Sequence, residues 1–130
     1  MRLLVLGGTR FLGRAIVDAA LASGHDVSIF TRGQTNPDFF PEAEHLVGDR
    51  DGDLSALEGR EWDAAVDTSG FFPRIVRASA ELLAGRVGHY TFVSSVSVYA
   101  DFAEPPDESS EVGTMEDESL EEMGDEFQYY

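Results

Sequence analysis

The sequence predicts an α/β fold built on a doubly wound parallel sheet, and three observations lead there. Short apolar runs of strand type alternate along the chain with segments of helical spacing. A glycine cluster, "LGGTRFLG" at residues 6–13, falls where the first strand gives way to the first helix. The chain has 130 residues, 42% of them hydrophobic, enough for one core of ordinary domain size. Strands joined by helices imply right-handed crossovers and a parallel sheet of about five strands, covered on both faces.

Each element has its own signal. Leu3 to Leu6 is an apolar run of the kind buried on both sides in a parallel sheet. From Leu12 the positions Leu12, Ala15, Ile16, Ala19 and Ser23 keep helical spacing, and Gly24 supplies a C-terminal stop. "DVSIF" at 26–30 reads as the second strand, and a loop with Pro37 and Pro41 leads to "HLVGDRDGDL", whose strand is expected to end near Asp49. Leu54 to Leu57 reads as one helical turn and "WDAAVD" at 62–67 as the fourth strand. Pro73 opens a second helix with Ile75, Ser79 and Leu82 on one face, and "HYTFVSS" at 89–95 is the expected fifth strand.

Charge is unevenly placed. The net charge is −16, and residues 101–130 carry 12 acids and no base, against 13 acids and nine arginines in residues 1–100. There is no lysine and no cysteine, so disulfides, thiolate metal sites and cysteine nucleophiles drop out. An acidic chain lacks the basic patch that a nucleic-acid binder uses to neutralise phosphates. "MRLLVL" is too short for the apolar core of a signal peptide, and no run approaches about 18 apolar residues, so no membrane partner and a cytoplasmic location are expected. His25, His45 and His89 are each expected just before a strand and read as structural. No serine is paired with a histidine and an acid, which argues against a hydrolase.

The glycine cluster carries the chemistry. Between strand and helix, the helix N-terminus offers free N–H groups and the positive end of its dipole to a pyrophosphate. The spacing is Gly7, Arg10, Gly13, and Gly13 suits close packing of the helix on the strand. Cofactor preference is legible at the end of the second strand, where an acid would hold ribose hydroxyls and an arginine would hold a 2′-phosphate. "SIFTRGQT" at 28–35 has no acid and places Arg32 there, so NADP is favoured over NAD, an ordinary surface arginine being the other reading of Arg32. Three alternating acids in "GDRDGD" fall short of a calcium loop, because the twelfth position from Asp49 is Arg60.

"LGGTRFLG" at 6–13 and "FVSSVSVYAD" at 92–101 resemble the extended, atypical short-chain dehydrogenase/reductases of the NAD-dependent epimerase/dehydratase kind, over the whole chain, with the acidic stretch its weakest part. The resemblance implies a Rossmann-type sheet and an NAD(P)-dependent oxidoreductase or epimerase/dehydratase. Its substrate would be a small hydroxyl or carbonyl compound, nucleotide sugars among the candidates. The family's usual first motif has glycine where Arg10 stands and threonine where Leu6 stands. A subgroup is similar to this chain in carrying "GGTRF", and there the guanidinium can lie beside cofactor phosphates; the alternative is an Arg10 that faces solvent. By the same resemblance Gly7, Thr9, Arg10, Phe11, Leu12 and Gly13 form the phosphate turn, and Asp49, with Arg50 second, meets the adenine. Thr68, Ser69 and Gly70 lie along ribose and phosphate, with a plain tight turn as the other reading of Gly70. Ser95 is the implied active-site hydroxyl beside Ser94, and Tyr130 the implied catalytic tyrosine, whose lysine partner would fall beyond the last residue.

Three segments follow: a dinucleotide-binding core over 1–100, an acidic loop over 101–128 expected to be mobile, and at 129–130 the start of the tyrosine helix. The chain is thus expected to be the front part of a longer enzyme, inactive alone, with a homo-oligomer compatible with the sequence. Two other readings stay open: a non-catalytic dinucleotide sensor on the same fold, and a relative of chloroplast RNA-binding proteins that carry a similar glycine motif, which the charge disfavours.

Overall fold

A computed structural model describes residues 1–114, 119 and 121. The chain divides into two compact units, Met1–Val93 and Ser94–Tyr130. The first unit runs β1 (Arg2–Leu6), α1 (Phe11–Ala22), β2 (Asp26–Thr31), β3 (Glu44–Val47), a 3₁₀ turn (Ser55–Leu57), β4 (Trp62–Asp67), α2 (Pro73–Leu83) and β5 (Val87–Phe92). The five strands form one sheet in the order β3-β2-β1-β4-β5, and every pair is parallel. The expected doubly wound, Rossmann-type sheet is therefore the observed one.

Alternation along β1 sorts its side chains between two cores, as the two-residue period of a strand requires. Leu4 and Leu6 join Phe30, Leu46, Leu57, Trp62, Ala65 and Leu83 on the face covered by α2 and the 3₁₀ turn. Leu3 and Val5 join Val17, Ala20, Val27, Ile29 and Ala43 on the face covered by α1. Trp62 Nε1 donates to Ser28 Oγ at 3.0 Å, so the indole is buried with its one donor satisfied.

Several expectations are corrected. The buried residues of α1 are Gly13, Val17 and Ala20; of the positions with helical spacing Ile16 is half-buried against the core while Leu12, Ala15, Ala19 and Ser23 are exposed, because a residue without Cβ has to face the preceding turn and this rotates the helix by one position. β3 stops at Val47, two residues short of Asp49, where the chain folds back and Asp49 and Asp53 exchange two backbone hydrogen bonds of 2.9 and 2.8 Å. β5 begins at Val87, paired with Trp62, and ends at Phe92, because β4 itself ends at Asp67 and only the Val93 N–H still reaches its carbonyl. Coverage of the sheet is uneven: no helix lies between β2 and β3, and Gly88, His89, Thr91 and Phe92 of β5 are exposed. His45 and His89 lie inside β3 and β5, and His25 alone stands just before its strand.

In the second unit Val96–Val98 form a 3₁₀ turn, and a single antiparallel bridge pairs Tyr99 with Val112. Much of the acidic stretch, and Tyr130 with it, lies outside the described residues.

Candidate functional site

Chain direction across the sheet reverses between β1 and β4, and in open α/β sheets ligands bind outside the carboxyl ends of the strands at this switch point. β1 ends at Leu6 and runs into Gly7 and Gly8, which have φ of +102° and +109°, a region that favours glycine. The turn is also too crowded for side chains. A Cβ on Gly7 would stand 2.5 Å from Thr68 Oγ1, and one on Gly13 would stand 2.7 Å from the Gly8 nitrogen. Thr68 is held in that position by its own N–H and hydroxyl, both donating to the Leu6 carbonyl at 3.0 Å. The helix therefore starts directly against the glycine turn, and Gly13 packs on Gly8 rather than on the strand.

Backbone donors at this turn are left without acceptors among the described residues. No side chain caps α1, and its first turn contains no acid. The first N–H groups of a helix have no intrahelical acceptor, and the N–H groups of Gly8, Thr9 and Arg10 find none among the described residues. Phe11 opens the helix with φ of +40°, a left-handed value for a non-glycine residue, and its side chain is 94% exposed. Leu12 beside it is also exposed, whereas Thr9 is buried and its carbonyl accepts from Asn36 Nδ2 at 2.9 Å. That bond ties the glycine turn to the loop after β2, where Arg32 is the first residue past the strand. Arg10 and Arg32 are both exposed, and neither has an ion pair or side-chain hydrogen bond among the described residues.

The other sequence-derived candidates divide. Asp49 Oδ1 accepts from the Asp51 N–H at 3.0 Å and shapes the turn after β3. The remaining acids of that turn are also engaged, Asp51 with Arg74 and Asp53 with Ser55. Arg50 corrects expectation: its guanidinium points inward, with bonds to Asp67, Ser79 and Ser69, and offers its donors to the protein interior and not to an adenine. Ser69 and Gly70 follow β4 at the same rim as the glycine turn. A Cβ on Gly70 would stand 2.5 Å from Val76 and 2.6 Å from Phe92, so packing between α2 and β5 accounts for that glycine.

Ser94 and Ser95 belong to the second unit and are exposed there. Ser95 precedes the 3₁₀ turn; its hydroxyl accepts from the Ser97 N–H at 3.1 Å and bonds the Ser97 hydroxyl at 3.0 Å. Sequence reasoning missed Gly8 and the cluster around Asp67. A second Asp, closing the strand "WDAAVD" directly after the apolar Ala64, Ala65 and Val66, was the available signal. Within this cluster Tyr90 donates to Asp67 Oδ2 at 2.7 Å, and burial together with the neighbouring carboxylate pushes its phenol above the ordinary value.

A parallel sheet in the order 3-2-1-4-5, with a crowded glycine turn and an uncapped helix at its switch point, defines a Rossmann-type unit. Residues 3–80 match the NAD dependent epimerase/dehydratase family, and the chain belongs to that family. Among curated proteins it is 32% identical over 114 residues to the chloroplast stem-loop binding protein of 41 kDa b of Arabidopsis thaliana, with 75% of this chain and 30% of that protein covered. Among solved structures it resembles a UDP-galactose 4-epimerase, with a TM-score of 0.76, 23% identity, and coverage of 87% of this chain and 45% of that one. It also resembles MoeE5 in complex with UDP-glucose and NAD, at a TM-score of 0.71 and 18% identity over 87% of this chain and 42% of that one. The chain thus spans less than half the length of these relatives. Among the described residues no helix is long and apolar enough to cross a membrane.

Proposed function

We propose that the chain is the dinucleotide-binding part of an NAD(P)-dependent oxidoreductase or epimerase/dehydratase that acts on a small hydroxyl or carbonyl compound, nucleotide sugars among the candidates. One observation carries this: among the described residues the N–H groups of Gly8, Thr9 and Arg10 lack acceptors beside an uncapped helix N-terminus, on a turn with no room for a Cβ at Gly7 or Gly13. Such an array suits a pyrophosphate, because several donors and the helix dipole converge on one anion. The positive φ of Phe11 adds to it, since strained backbone is retained where a site needs a particular shape. Gly7, Thr9, Arg10, Phe11, Leu12 and Gly13 would hold the phosphates, Arg10 adding charge where close backbone approach is reduced. Arg32, exposed and free of partners among the described residues, would take the 2′-phosphate, which makes NADP the favoured cofactor. A bound nicotinamide would supply hydride transfer, with Ser95 orienting the substrate oxygen and Tyr130 exchanging its proton.

Calorimetric titration with NADPH and NADH, repeated on Arg32→Ala, tests the reading. Tighter NADPH binding that Arg32→Ala largely abolishes is expected. Equal affinities in the unmutated protein would remove the NADP preference, and no binding of either would remove the dinucleotide reading. A second reading follows from the name of the Arabidopsis relative, a stem-loop binder. Sixteen excess negative charges work against a polyphosphate partner, so a stem-loop RNA added to the same titration is expected not to bind.

A further inference from the structure

Asp67 closes β4 with no exposed surface, and a carboxylate in that position persists only if it is paired and hydrogen-bonded. Its carboxylate has three partners, from three parts of the chain. Arg50, in the turn after β3, forks onto it, Nη1 to Oδ1 and Nη2 to Oδ2, each at 2.7 Å. Tyr90 of β5 donates to Oδ2, and the Ser69 N–H donates to Oδ1 at 3.1 Å. The rest of the Arg50 guanidinium is used on Ser79 of α2, from Nε at 3.2 Å and Nη2 at 2.7 Å, and on Ser69 Oγ at 3.4 Å. The Ser79 hydroxyl in turn donates a hydrogen bond to the Ile75 carbonyl at 2.9 Å.

Ser69 is where this buried cluster meets the rim. Its N–H is consumed by Asp67 and its hydroxyl oxygen faces a cation, so the hydroxyl proton is the donor it has left, directed away from Arg50. Thr68, one residue before, lies against the glycine turn, and Ser69 Oγ itself stands 3.5 Å from where a Cβ on Gly7 would be. We infer that Arg50 and Asp67 are a positioning pair: a strut from the turn after β3 that fixes the Thr68–Ser69–Gly70 corner and orients the Ser69 hydroxyl toward a nucleotide that Arg50 itself does not touch. The inference rests on the dinucleotide reading of the rim for its ligand, and on the cluster alone for its geometry.

Three variants of the whole chain test it: Arg50→Met, Arg50→Lys, and the double change Arg50→Met with Asp67→Asn. Arg50→Met leaves a buried carboxylate unpaired and is expected to lower stability. The double variant removes both charges and regains most of it, and Arg50→Lys keeps the charge without the fork. Hydrogen exchange of the Ser69 amide, referred to the β1 core amides, is expected to rise about tenfold or more in all three, as loss of one well-made hydrogen bond implies. NADPH affinity is expected to stay about tenfold down in the double variant although stability has returned, the cost of one such bond. An unchanged Ser69 amide in the double variant would overturn the pairing, whether or not NADPH binds. NADPH affinity that returns together with stability would overturn it too, leaving a merely structural ion pair. If the unmutated protein binds no NADPH while the Ser69 amide responds as expected, the dinucleotide reading falls and the strut stands.

Discussion

Replacing Gly13 by alanine isolates the contact on which the candidate site depends. The added Cβ would lie 2.7 Å from the Gly8 nitrogen, 3.0 Å from the Gly8 Cα and 2.9 Å from Thr68 Oγ1. Ordinary carbon contacts lie near 3.5 to 4.0 Å, so the gap is short by about 1 Å. Two of the three atoms are backbone and cannot rotate away, which leaves movement of the helix start as the available relief. Overpacking of this kind costs about 1 to 3 kcal/mol. Against it stands the helical preference for alanine over glycine, about 1 kcal/mol. The net expectation is a loss of about 0 to 2 kcal/mol, with dinucleotide affinity falling about tenfold as Gly8 is pushed from the helix. Urea unfolding can be followed by the fluorescence of Trp62, the single tryptophan and a buried one. The exposed Ala19 on the same helix calibrates the propensity term, since Ala19→Gly should cost about 1 kcal/mol. If Gly13→Ala instead raises stability by about that amount, the helix does not sit hard against the turn and the argument for a crowded phosphate site fails.

Two further outcomes follow from single side chains. Arg10→Ala is expected to weaken dinucleotide binding by about 1 to 3 kcal/mol, the range for a bond to a charged group. Stability should hold within about 0.5 kcal/mol, because Arg10 is an exposed surface residue; unchanged affinity and salt dependence would return it to a solvent-facing role. Tyr90 keeps its proton longer in the folded than in the unfolded chain, so its contribution is whole below about pH 10 and declines as pH rises beyond that. The decline should be well under about 1.4 kcal/mol per pH unit, the ceiling for one proton, because the ring is only half-buried and solvent screens the charge. Denaturant midpoints between pH 9 and 11 should show it, and Tyr90→Phe should flatten it; an equal slope in both proteins would assign the loss elsewhere.

Strands, helices and the glycine turn were legible in the chain because each is written locally. Apolar runs such as Leu3 to Leu6 mark strands, Gly24 and Pro73 punctuate helices, and Gly7 and Gly13 flank a strand-to-helix turn whatever surrounds them. Family membership rested on the same local words. The buried face of α1 was not legible: spacing alone accommodates Leu12 as well as Val17, and contact of Gly13 with Gly8 chose between them. The direction of Arg50 was hidden for a related reason. Its sequence neighbours are acids in an exposed turn, while its partners Asp67, Ser69 and Ser79 stand 17, 19 and 29 residues away and meet it only once the sheet is assembled. A buried carboxylate exerts its demand for a cation through space, and no periodicity along the chain records which arginine the fold will bring to it.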